Sequence, residues 1–118
     1  MTKSEDLSPH LLKVMDDHVK NVPYYTKLIS GEVELGKEYG AYVEQIRRIE
    51  EVKRILDAVQ DAFNELDKLR IPFITLYYFG GRGVTVEAAG QRVGASRSSA
   101  VRWRRDFIEA ICKKLGWI

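Results

Sequence analysis

The chain has 118 residues, 45% hydrophobic and 31% charged, with a net charge of +2. That is enough apolar material for one ordinary domain with a real core, and enough charge to solvate its surface without a long acidic or basic tail. The single cysteine, Cys112, excludes an internal disulfide, and the longest dense apolar run, Ile71 to Phe79, falls well short of the ~20 residues that cross a bilayer. The polar start "MTKSEDLSPH" does not read as a signal peptide, so the expectation is a soluble cytoplasmic protein with no membrane partner. Charge is unevenly spread. Residues 1–60 carry nine Lys/Arg against eleven Asp/Glu, and residues 61–118 carry ten against six. Between Arg82 and Arg105, six arginines are opposed only by Glu87. Such asymmetry points to an anionic partner for the C-terminal half.

In chain order, Ser8-Pro9 predicts a helix start: a hydroxyl cap, then proline at the first helical position. Leu11, Met15, His18, Val19 and Val22 fall on one face, with His18 as a core-edge residue. Pro23 ends this helix or begins another, and "YYTKLIS" reads as a short helix or a turn. Gly31, Gly36 and Gly40 punctuate the next ten residues. From about Ala41 to Leu69 runs the longest helical pattern. Tyr42, Ile49, Leu56 and Phe63 recur every seven residues, and Val52, Val59 and Leu66 lie three after the last three of them. This is a heptad-like seam, widened by Ile46, Ile55 and Leu69. Two compatible readings stand: packing within the chain, and a homodimer interface. Ile71-Pro72 is expected to break this helix. "FITLYYF" has β-forming residues but no partner strand, so it is read as a short buried helix, followed by a Gly80-Gly81-Arg82-Gly83 loop.

The stretch from Thr85 to Phe107 is the most informative. Thr85 can cap a helix running to about Val93, with Glu87 in its first turn. Gly94 suits a left-handed turn, and Ser96 can cap a second helix starting at Arg97. So tight a Gly-Ala-Ser connection needs a small residue where the helices meet, and Gly90 is placed for it. Alanine there is expected to cost little, leucine much. Ala89, Val93, Ala95, Ala100, Trp103 and Phe107 fall inward. Arg97, Ser98, Ser99 and Arg102 fall outward at the start of the second helix. This is a helix-turn-helix layout, with the second helix set to enter a DNA major groove. Arginine can fork onto guanine O6 and N7 or clamp a phosphate, and serine reaches base edges on a short stem.

"FITLYYFGGRGVTVEAAGQRVGASRSSAVRWRRDFIEAICKKLG" resembles the region-4 DNA-binding domain of bacterial sigma factors. The shared features are an aromatic pair (Tyr78-Phe79), a loop, Thr85-Val86-Glu87, a packing glycine, and a Gly-x-Ser turn into an Arg-led helix. The whole chain is similar to phage late-gene regulators of the RinA and ArpU type, including a turn at Val22-Pro23-Tyr24-Tyr25. The resemblance implies an all-α chain: a helical N-terminal part with one long helix (1–69), then a three-to-four-helix DNA-binding domain (70–118). It implies that Arg97, Ser98, Ser99 and Arg102 face base edges and that Arg104 and Arg105 reach phosphates, with Thr85 and Arg82 completing the DNA-facing set. The implied partners are double-stranded DNA, host RNA polymerase and a second copy of the chain. Two departures are Ala89 and Ala100, where larger aliphatics are usual. Trp103 is expected to fill that space.

Enzyme chemistry finds little support. His10 and His18 are too far apart on one helix to share a metal, and Asp16-Asp17 and Glu50-Glu51 read as solvated faces. Cys112 reads as a small buried hydrophobe. "GGRG" lacks the Gly-Lys-Ser/Thr of a phosphate loop, and no cofactor is expected. Trp117 is read as an anchor for the C-terminus. Two other functions compete with a transcription regulator: a small terminase-like DNA-packaging protein, and a helical protein-interaction module that never touches DNA.

Overall fold

The computed structural model describes residues 7–31, 39–81 and 83–118, with 39–46 as backbone. Six helices run in order: α1 (Pro9–Lys20), α2 (Val22–Ser30), α3 (Tyr39–Asn64), α4 (Arg70–Phe79), α5 (Val86–Arg92) and α6 (Arg97–Leu115), with no strand among the described residues. The chain is therefore all-α, as the sequence predicts.

Local chemistry explains most boundaries. Ser8 Oγ accepts from the Leu11 amide at 3.1 Å, and Pro9 takes the first position of α1, where a missing N–H leaves nothing unpaired. Pro23 begins a second helix, so "YYTKLIS" is helical, and α2 stops at Gly31 with φ +82°. The long helix ends at Asn64, five residues before the expected Leu69. Glu65 and Leu66 N–H bond three residues back, to Ala62 and Phe63, tightening the last turn. Asp67 Oδ1 then accepts from the Leu69 and Arg70 amides at 3.1 and 2.9 Å and launches α4. Asp67 makes the break. Pro72 lies in the first turn of α4, where it is tolerated. The aromatic segment is the short buried helix expected, with Phe73, Ile74, Tyr77 and Tyr78 in the core.

The α6 helix organises the packing, touching α1, α3, α4 and α5. One core cluster runs from Met15 and Val19 of α1, through Ile55 and Val59 of α3 and Phe73 of α4, to Ile108 and Ile111 of α6. The expected boundary between residues 69 and 70 falls in the α3–α4 turn, and this core continues across it. Lys114 Nζ bonds Glu65 Oε1 at 2.7 Å over the same boundary. Trp117 packs on the core with its ring 6.0 Å from His18, and its amide donates to Cys112 O at 2.9 Å, which holds the C-terminus down. His18 lies half-buried at the core edge, its Nδ1 2.7 Å from the Tyr25 hydroxyl.

Asp16 departs from the sequence reading. It is not part of a solvated acidic face: only 5% of the residue is exposed. Its Oδ1 accepts from the Tyr78 hydroxyl at 2.8 Å and from Arg104 Nε at 3.1 Å, and Lys20 Nζ lies 3.1 Å from Oδ2. A buried carboxylate needs such partners to offset its lost hydration. Burial, with the Asp16 charge beside it, pushes the Tyr78 phenol well above its ordinary value. Desolvation lowers the pKa of the Lys20 ammonium, but the Asp16 bond and charge outweigh it and raise it on balance.

Candidate nucleic-acid interface

The α5–α6 unit has the geometry its residues predict. Thr85 Oγ1 accepts from the Ala88 amide at 3.1 Å and starts α5. The chain leaves α5 through Val93 and turns at Gly94, whose φ of +75° suits glycine. The turn is closed by the Ala95 amide, which donates to Gly90 O at 2.8 Å. Ser96 Oγ then accepts from the Ser99 amide at 3.1 Å and caps α6.

The two helices meet at Gly90 and Ala100. A Cβ built on Gly90 lies 2.9 Å from Ala100 Cβ and 3.6 Å from Ala95 O. Real Cβ atoms do not approach a stiff neighbour so closely, so alanine at 90 is not the mild change the sequence predicts. The same contact explains why Ala100 is small. Ala89 and Ala100 are fully buried, Phe107 nearly so, and Val93 and Ala95 partly. Trp103 is half-buried and meets Phe73 edge-on at 5.8 Å, bracing α6 against α4.

The expected DNA-facing residues divide into two groups. Arg97, Ser98 and Arg102 are exposed on the first turns of α6, and Thr85 is exposed at the start of α5. The Arg97 side chain is 78% exposed, and its Nε bonds Glu87 Oε1 of α5 at 2.8 Å. An exposed pair of this kind contributes ~0–1 kcal/mol and yields readily to a stronger acceptor. It occupies Nε and leaves the two terminal amino groups outside the bond. Arg102 makes no ion pair among the described residues. Ser99 is half-buried, and its hydroxyl accepts from Ser96 Oγ at 3.0 Å, keeping its own proton for donation. Arg82 lies outside the described residues.

Arg104 and Arg105 form the second group. Arg104 points inward, its side chain 24% exposed, bonded to Asp16 and with its guanidinium carbon 5.8 Å from the Tyr77 ring centre. Desolvation is the largest single influence and lowers its pKa, but the Asp16 charge and hydrogen bond, together with Tyr77 and Tyr78, outweigh it and raise the pKa on balance. Its Nε is bonded at the core edge, whereas the resemblance implies a phosphate-reaching role for it. Arg105 Nη2 reaches back to Leu7 O at 3.3 Å, tying α6 to the segment before α1.

The sequence reading missed Val101. This valine lies on the outward face, one turn after Arg97, and is 47% exposed. Its outward position follows from helical spacing, four residues after Arg97 and three after Ser98.

Among the described residues, no group of three or more His, Cys, Asp or Glu is arranged to hold a metal. No described helix is long and apolar enough to cross a membrane. Cys112 is buried, and burial pushes its thiol up to about 11, with Glu109 adding to the shift. Comparison of the chain with family models, with curated proteins and with solved structures finds no match.

Proposed function

We propose that this chain binds double-stranded DNA sequence-specifically through the N-terminal half of α6 and acts as a transcription regulator. The observation that carries this reading is the capped α5–turn–α6 unit closed on the Gly90–Ala100 contact, with Arg97, Ser98 and Arg102 exposed together on the first turns of α6. That is the face a helix-turn-helix protein turns into the major groove. The helix N-terminus adds a partial positive charge toward phosphate. Resemblance to phage late-gene regulators suggests the physiological setting, with host RNA polymerase as a further partner. In this reading the base readers are Arg97, Ser98 and Arg102, with Ser99 and Thr85 as short-stemmed hydroxyl donors, and Arg104 is a structural residue.

The protein is proposed to act as a dimer. A single recognition helix buries little surface, and two copies reading an inverted repeat meet that shortfall. Ile49 and Leu56, one heptad apart on α3, are half-exposed, which favours them as the contact.

The test is fluorescence anisotropy of the full chain with mixed-sequence duplex DNA at graded salt, followed by selection of preferred sequences. Binding should weaken steeply with salt, since each phosphate neutralised contributes a slope of about −0.9. Arg97→Ala and Arg102→Ala should each relax the preference at one base position, costing ~1–3 kcal/mol where the contact is bidentate. Salt-insensitive or absent binding removes the DNA reading and leaves the protein-interaction alternative.

A further inference from the structure

Every other apolar side chain of α6 is buried or half-buried, whereas Val101 is 47% exposed. A lone exposed valine on a protein surface needs no explanation. This one stands at the centre of the face that the proposed function assigns to DNA. Arg97 lies four residues before it, Ser98 three before it, and Arg102 directly after it. On a helix the first two of these positions adjoin Val101, and Arg102 lies one turn after Ser98 along the same side. The rise from Arg97 to Arg102 is about 7.5 Å, and stacked base pairs are about 3.4 Å apart, so this face covers two to three base pairs.

Hydrogen-bonding side chains surround Val101, and Val101 has no polar atom beyond its backbone. In the major groove each base edge offers donors or acceptors, and the 5-methyl of thymine is the apolar feature that remains. A β-branched side chain has a stiff first torsion, so it presents a fixed apolar surface at little cost in order. We propose that Val101 is a specificity residue whose isopropyl group packs on the 5-methyl of a thymine lying within two base pairs of the guanine contacted by Arg97. The proposal rests on the DNA reading of α6 and adds to it a recognition chemistry that the arginines and serines do not supply.

The experiment uses the full chain and the duplex it enriches from a randomised pool. Each thymine of that duplex is replaced singly by deoxyuridine, which removes only the methyl. One replacement, close to the guanine whose preference depends on Arg97, should weaken binding about fourfold, the transfer of one buried methyl-sized group. In Val101→Ala the same replacement should have no effect. In Val101→Thr, which keeps the branched shape and one methyl, part of the effect should remain. The site is exposed and helical, so alanine there should not disturb folding. An enriched sequence with an Arg97-dependent guanine but no methyl-sensitive thymine overturns the role of Val101 and leaves the DNA reading standing. Equal methyl sensitivity in the wild type and Val101→Ala does the same. If no duplex is enriched, the DNA reading falls and this inference falls with it.

Discussion

Both carboxylate oxygens of Asp16 are engaged, Oδ1 by Tyr78 of α4 and Arg104 of α6, and Oδ2 by Lys20 one turn further along α1. Deleting one member of a buried pair typically costs ~3–5 kcal/mol, because the other charge is left without a partner. Asp16→Ala should therefore destabilise the chain by about 3 kcal/mol, near the low end, since Lys20 keeps its access to water. Arg104→Ala should cost less, because Lys20 still faces the stranded carboxylate. Urea denaturation checks both. If Arg104→Ala leaves the unfolding midpoint unchanged and weakens binding to all DNA alike, the phosphate role returns. His18 gives a pH-dependent expectation. Burial lowers its pKa below 6.5, against the smaller upward pull of Glu51 and Asp17. Between the folded value and 6.5 the unfolded chain binds more protons, so stability rises with pH across that window. The contribution should be fully present above pH 6.5 and decline as pH falls through the folded value. Thermal unfolding from about pH 7.5 to about pH 5 should show this step in the wild type and lose it in His18→Gln.

The contact between α5 and α6 is set by a missing side chain. Gly90→Ala gains about 1 kcal/mol of helix propensity. Against it stands a 2.9 Å approach to Ala100 Cβ, which neither helix can relieve without shifting. Overpacking of this kind costs ~1–3 kcal/mol, so the net change should be destabilising by up to about 2 kcal/mol. Gly90→Leu should be worse, and should lower DNA binding by moving α6 relative to α5. Pairing Gly90→Ala with Ala100→Gly should recover part of the loss, which a simple propensity effect would not do. Circular dichroism melts of the single and double variants measure the difference. The neighbouring signals are legible in the sequence because they are local: Thr85 and Ser96 accept from amides three residues on, and Gly94 provides a conformation other residues avoid. The end of α3 was not legible in the same way. Leu66 and Leu69 continue the apolar pattern beyond Asn64, but Asp67 competes for the next backbone amides and wins.

At the scale of the molecule, the seam of α3 splits into two faces. Val52 and Val59 are buried within the chain, as are Ile55, Ala58 and Ala62, whereas Ile49 and Leu56 are half-exposed. A charged residue at 59 therefore lands in the core and should unfold the chain, with loss of helix whatever the state of association. Leu56→Glu should leave the helical spectrum nearly intact. If the chain pairs through this face, that variant should sediment at half the wild-type mass and bind an inverted repeat far more weakly. A wild type that sediments as a monomer both free and on DNA would remove the dimer from the proposal.

The sequence by itself determined the helical character of the chain, the starts of α1, α5 and α6, the turn at Gly94, and which side of α6 faces outward. Each of these depends on residues within a few positions of one another, where hydrogen-bond reach and the 3.6-residue period apply directly. Only the tertiary structure decided where Asp16, Arg104 and Val59 lie. Asp16 and Arg104 are 88 residues apart in the chain and meet because α6 packs on α1. Before that packing is known, a carboxylate and an arginine on helix faces look like solvated charges. Once the two helices meet, the carboxylate is shut off from water, and the arginine placed against it is held at the core edge.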